Sequence, residues 1–234
     1  MKKILAFALI LALALTLMTA CDLGDILGGG DNDDGGGSNS SKDKGSDEKF
    51  GYGTDFINNN LKGNYWVVYN ISTHSNGDTD SAVMEQRRTS EGYYYATDGG
   101  EEGMMFIANG DDYDLYMPNG DGLYTKSGIT YPKDTAESMM YGISMYMSSY
   151  AGFGSELVKS GSATIAGRDC EKYTFDYTYP VYGYKYKYTY FIDKATGVCL
   201  KFDMELNGAG QKIGYEFECS KFETSNVKLP DYEK

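Results

Sequence analysis

The chain has 234 residues, 41% of them hydrophobic, 24% charged and 15% aromatic, enough for one domain of ordinary size with a short appendage. Its 34 acidic residues outnumber 21 basic ones, a formal net charge of −13, which makes it a poor ligand for phosphate backbones and argues against nucleic acid as a partner. A single histidine, His74, excludes a histidine-rich metal site, while 23 Tyr and 30 Gly point to strands and turns.

Lys2 and Lys3 precede an apolar run over residues 4–18 and then Thr19 and Ala20. That is the order of a secretory signal over 1–20. The run is shorter than the ~20 residues a spanning helix needs. Met18-Thr19-Ala20-Cys21 resembles a bacterial lipobox. In that motif the cysteine thiol is alkylated with diacylglycerol and the signal is cut before it. The resemblance implies that Cys21 becomes the first residue and the lipid anchor. Several acyl chains on one residue bind a bilayer stably, as a single chain does not. The membrane is then a partner, and the domain stands on the extracytoplasmic side of a bacterial cell membrane. Residues 21–50 follow as a tether, rich in Gly, Asp and Glu and too poor in apolar residues to offset the entropy of ordering. Such a segment reaches roughly 30 Å root-mean-square.

Residues 51–234 read as the folded domain. A first helix starts at Thr54 or Asp55, carries Phe56, Ile57 and Leu61 on one stripe, and stops at Gly63. Strands are expected over 64–72, 82–89, 92–97, 103–108, 113–117 and 122–126, with Asn109-Gly110 as a hairpin turn. Asp134 with Glu137 starts a second helix that runs to about Tyr150, its apolar residues Ala136, Met139, Met140, Ile143, Met147 and Tyr150 at helical spacing. Residues 162–165 and 170–178 flank Ala166-Gly167. Tyr182, Tyr184, Tyr186, Tyr188, Tyr190 and Ile192 then alternate with other residues at period two. Val198, Leu200, Phe202, Met204 and Leu206 share one face, and Ile213, Tyr215, Phe217 and Cys219 share the facing side. The expected fold is α+β and mostly antiparallel β: a curved half-barrel sheet of about nine to eleven strands with two helices on its concave face.

Residues 161–173 (GSATIAGRDCEKY) and 188–202 (YTYFIDKATGVCLKF) resemble the C-terminal half of lipoproteins in the LolA/LolB-like superfamily. The order of the opening helix and strand and of the later helix fits as well. These motifs are structural: Asp193 and Thr196 can bond nearby backbone N–H groups, and Gly197 supplies positive φ. The resemblance implies an open half-barrel enclosing an apolar cavity for an acyl chain or another lipid. The inward faces that would line it are Trp66, Val68, Met105, Ile107, Leu115, Met139, Ile143, Met147, Leu200, Phe202, Ile213 and Phe217. The alternative is a filled core of the same residues.

Three cysteines remain after Cys21, and three pairings are open to them. An exported protein sits where disulfides persist. Alternation turns Cys170 and Cys199 outward and Cys219 inward, which favours Cys170–Cys199, although a strand separates the two in a simple meander. His74 lies in a turn, and no hydrolase, zinc-protease or phosphate-loop motif is present. The sequence therefore implies a protein that is not an enzyme and uses no cofactor or metal: an envelope lipoprotein binding an acyl chain or other apolar ligand. The alternative is a sensor or interaction module that binds protein or glycan through its Tyr-rich strands.

Overall fold

The computed structural model describes residues 50–233, apart from 62, 76, 99–101, 140–145, 151–152, 155, 181 and 209. The signal, residues 21–49 of the tether including Cys21, and Ile143 lie outside the described residues; Phe50, expected to end the tether, instead packs edge-on against Tyr52, Tyr150 and Tyr173.

Eleven strands form one open antiparallel sheet. A first meander contains β1 (Tyr65–Ser75), β2 (Asp78–Arg88), β3 (Gly92–Thr97), β4 (Glu102–Asn109), β5 (Asp112–Pro118) and β6 (Tyr124–Pro132). A second contains β7 (Val158–Ile165), β8 (Arg168–Thr178), β9 (Lys185–Asp193), β10 (Cys199–Gly208) and β11 (Gln211–Glu223). The two join where β1 pairs with β11, which leaves β6 and β7 as the sheet edges. β7 and β11 nonetheless touch, so the second meander bends strongly. Turn chemistry fixes the hairpins. Gly110 takes φ 64° between β4 and β5, and Ala166 and Gly167 take φ 49° and 74° between β7 and β8, the left-handed pair a two-residue hairpin turn requires.

Helix α1 spans Thr54–Leu61 and buries Ile57 and Leu61. Helix α2 spans Lys133–Met139; beyond residues 140–145 the chain is helical again at Tyr146 and Met147 and then turns.

Cross-strand register defines two faces. On the front, Tyr65, Arg88, Tyr93, Phe106 and Leu115 form one row across the first meander. Ile71, Phe217, Phe202, Tyr190 and Tyr173 form another across the second. Ala136 of α2 packs onto the first row beside Tyr113. Tyr146, Tyr150 and Phe153 cover the second: Tyr146 meets Tyr69 and Phe217, Tyr150 meets Tyr190, and Phe153 stacks on Tyr188. Tyr69, Tyr150, Tyr190, Phe106 and Phe217 are all under 2% exposed. Each contributes about 2–3 kcal/mol of burial.

The back face also carries an apolar layer. Trp66, Arg87, Tyr94, Met105 and Tyr116 form a row there. The chain after β11 returns across it. Leu229 and Tyr232 pack on the cluster of Tyr94, Met105, Tyr116 and Tyr124, Arg87 donates to the Lys228 carbonyl, and Tyr124 bridges Tyr232 in parallel.

Candidate functional site

The strand alternation read from residues 182–192 builds a ladder of rings. In β9 the rings of Tyr190, Tyr188 and Tyr186 follow one another at centroid spacings of 6.5 and 6.0 Å, with planes within 12° and 6°. Phe175 of β8 stacks on Tyr188 at 5.8 Å, and Tyr177 stacks on Phe175 at 6.3 Å. Each such pair adds about 0.5–1.5 kcal/mol beyond its buried area. The ladder begins in the core, where Tyr190 is 1% exposed and burial pushes its hydroxyl pKa up.

It continues past the last β8–β9 pair, Thr178 with Lys185, into the hairpin tip. There Tyr179 N–H donates to the Tyr184 carbonyl at 2.8 Å and Gly183 N–H to the Tyr179 carbonyl at 2.9 Å, with Gly183 at φ 66° closing the turn. Tyr182 lies parallel to Tyr179 within 10° at 5.8 Å and is tilted 37° to Tyr184, also at 5.8 Å. Tyr184 is seated on the β10–β11 hairpin: a Cβ on Gly208 would stand 1.9 Å from its ring. Only a glycine there lets the ring lie on the backbone. Tyr182 is 70% exposed, the most exposed of the large hydrophobic side chains among the described residues. Tyr182 thus projects to solvent beside two half-buried rings, Tyr179 and Tyr184, from a core that otherwise consumes its rings in packing.

The turn over residues 193–197 is a hydrogen-bonded hub. Arg168 donates to Asp193 through Nε at 3.1 Å and Nη2 at 2.7 Å. Thr196 donates to the same carboxylate from its N–H at 3.0 Å and from its hydroxyl. Gly197, at φ 76°, donates its N–H to the Asp193 carbonyl at 2.8 Å. Tyr150 caps this turn through its hydroxyl on the Gly197 carbonyl, and Tyr69 donates to the Cys199 carbonyl at 2.7 Å.

The positions expected to line one cavity fall in several places. Leu115, Phe202, Ile213 and Phe217 lie on the front face, and Met147 is buried in the segment crossing it. Leu200 is buried beside a register shift between β9 and β10. Trp66, Val68, Met105 and Ile107 lie on the back face. Trp66 is gripped there between Arg87, 3.8 Å above its ring, and Lys221, 3.2 Å from it. Met139 is 48% exposed. The expected faces of β1 and β4 were reversed because both faces carry apolar residues, the back ones meeting the returning C-terminal segment.

The expected Cys170–Cys199 bridge is absent: Cys170, Cys199 and Cys219 are all buried free thiols. Strand β9 separates β8 from β10, so the two backbones stand roughly 9.5 Å apart, beyond the ~7 Å that a bridge spans. Burial, the largest cause for each, pushes all three thiols up to about 12.

Two concavities stand out among the described residues. One, of about 700 Å³, lies on the back face over β1, β2 and β9–β11 and is lined mainly by polar groups, among them His74, Thr79, Lys187, Asp203, Lys212 and Glu216. His74 shares a hydrogen bond with Thr79 at 2.9 Å and approaches Glu216 at 3.6 Å, so its ring is held by strand neighbours. The other, of about 580 Å³, lies between Asn64, the β2–β3 turn and residues 227–232. Among the described residues no group of three or more His, Cys, Asp and Glu is placed to hold a metal, and no helix is long and apolar enough to cross a membrane.

No family model and no curated protein matches the chain. Among solved structures, it is similar to one chain of the MucA/MucB complex of Pseudomonas aeruginosa, at 15% identity over 75% of this chain and 58% of that one, with a TM-score of 0.37. It is also similar to a DUF1329 family protein from Desulfovibrio piger, at 9% identity over 75% of this chain and 92% of that one, TM-score 0.27. PNGF-II shares 10% identity over 73% of this chain and 31% of its own, TM-score 0.26. The chain spans about 58% of the length of the first of these. With TM-scores below 0.5 these likenesses are loose, and the reading of the site rests on its own residues.

Proposed function

We propose that this chain is a lipid-anchored envelope protein whose β-rich domain is a non-enzymatic binding module, engaging an extracytoplasmic partner through the tyrosine trio at the β8–β9 tip. The observation that carries this reading is Tyr182, 70% exposed yet in ring contact with both Tyr179 and Tyr184. Rigid aromatic side chains supply contact area at low conformational cost, which makes them the usual anchors of recognition surfaces. The anchor itself is read from Met18 to Cys21, and the half-barrel with helices over its concave face from the LolA/LolB-like motifs.

That resemblance also implies an acyl-chain ligand. Such a ligand would need the front face, where Phe202 and Phe217 stack at 5.3 Å and Leu115 is buried in the cluster beneath α2. Filled positions of this kind support binding at the surface over binding inside.

The test is saturable retention of the full chain on isolated bacterial envelopes, using Cys21→Ser to remove the anchor. Tyr182→Ser should weaken retention about tenfold, the size of one aromatic anchor contact. Lys212→Ser, in the polar groove, should leave it unchanged. Equal retention of the natural and Tyr182→Ser chains refutes the reading. So does a lipid adduct in native mass spectrometry that Met147→Trp displaces.

A further inference from the structure

We infer that the hairpin tip is a saccharide platform, on which an uncharged envelope glycan lies across the rings of Tyr179, Tyr182 and Tyr184. This names the partner of the binding module proposed above and rests on that reading. A pyranose has a face of C–H bonds with slight positive charge, and that face complements the negative face of an aromatic ring. At 5.8 Å and 10°, Tyr179 and Tyr182 are too far apart to eclipse one another, so part of each ring face stays open. The backbone that carries the rings is set before any ligand arrives. The turn hydrogen bonds hold Tyr179 to Tyr184, and the Gly208 backbone seats Tyr184 from below. Preorganisation of this kind lowers the entropy cost of binding.

The charge pattern selects the ligand class. Residues 177–186 contain five Tyr and one charged residue, Lys185, in a chain where 24% of residues are charged. Lys185, flanked in register by Thr178 and Asn207, lies on the opposite face of the sheet from Tyr177 and Tyr186, so the ring face itself carries no charge. Lys187, the next cation, sits in register between Asp176 and Glu205. A membrane surface fits less well. Interfacial segments combine apolar side chains with clustered Lys and Arg, whereas residues 177–186 carry a single cation, Lys185. The acidic domain, with 26 carboxylates against 16 cations from residue 50 onward, would also be repelled by anionic headgroups.

Affinity electrophoresis tests the inference with the full Cys21→Ser chain in gels containing the uncharged polymers glycol chitin, hydroxyethyl cellulose, xylan or dextran. The expected result is retardation by at least one of these glycans. Tyr182→Ser and Tyr179→Ser should each weaken it about tenfold, with the melting temperature lowered by only a few degrees. Tyr182→Phe should preserve it, because the stack uses the ring and not the hydroxyl. Migration unaffected by every glycan overturns the inference, as does retardation that Tyr182→Ser leaves intact. Tyr182-dependent flotation with phosphatidylethanolamine–phosphatidylglycerol vesicles overturns it in favour of a membrane contact. If envelopes retain the chain through Tyr182 while no glycan retards it, the glycan assignment fails and the binding module stands. If neither happens, both fail.

Discussion

Replacing Arg168 by alanine strands a buried carboxylate. Asp193 is 2% exposed and accepts two bonds from Arg168 and two from Thr196. Removing one partner of a buried pair costs about 3–5 kcal/mol, because the remaining charge keeps its desolvation penalty. The two Thr196 bonds survive in Arg168→Ala, and Arg168 itself is 26% exposed, so the lower end applies, about 3 kcal/mol. For a domain of this size that is a fall in Tm of about 6–12 °C. Asp193→Ala removes the charge as well and should couple to Arg168→Ala by about 2 kcal/mol in a double-mutant cycle. Urea unfolding followed through Trp66, the single tryptophan, measures all four proteins. Additivity of the two substitutions within about 0.5 kcal/mol would refute the reasoning.

The three buried thiols should be protonated and inaccessible at neutral pH, since burial holds each near 12; an aromatic disulfide reagent should label none of them in the folded Cys21→Ser chain and all of them in urea. Gly92→Ala should cost about 2–4 kcal/mol, because a Cβ there would meet the Phe106 carbonyl oxygen at 1.9 Å and only backbone movement relieves it. Asp114 is held below the usual carboxylate range by the Lys126 hydrogen bond first, then by Thr130, with Asn109 adding a smaller effect. Its folded pKa is therefore depressed. The stability it contributes is present above the unfolded pKa and lost as pH falls through the folded one, so Asp114→Asn should flatten the acid limb of Tm against pH. Deleting residues 227–234 should uncover Tyr94, Met105 and Tyr116, lowering Tm and raising binding of a hydrophobic dye.

Much of the second meander was legible because its chemistry is local. The period-two tyrosines of residues 186–190 could only be a strand. The turn residues Asp193, Thr196 and Gly197 carry their own bonding instructions, and Phe202, Met204 and Leu206 meet Phe217, Tyr215 and Ile213 in direct register as alternation requires. The first meander was less legible for a physical reason. Its strands are apolar on both faces, so alternation alone could not say whether Tyr65, Val67 and Tyr69 or Trp66 and Val68 belonged with the front core. The deciding partner, the return of residues 227–232 over the back face, is a non-local contact made by a short segment of mixed polarity. The β1–β11 junction is non-local in the same sense. At the hairpin tip, the sequence showed tyrosines but not which would end in solvent; that depends on Gly208, from another hairpin, seating Tyr184.

The central claim, that this domain meets its partner through the β8–β9 tip, is tested most directly by hydroxyl-radical footprinting of the full Cys21→Ser chain with and without bacterial envelopes. Oxidation read by mass spectrometry should fall at Tyr179, Tyr182 and Tyr184 when envelopes are present. Partly exposed Tyr131 and Tyr232, packed elsewhere on the sheet, should be unaffected. Protection that leaves the trio untouched, or that falls instead on His74 in the polar groove, would contradict the account.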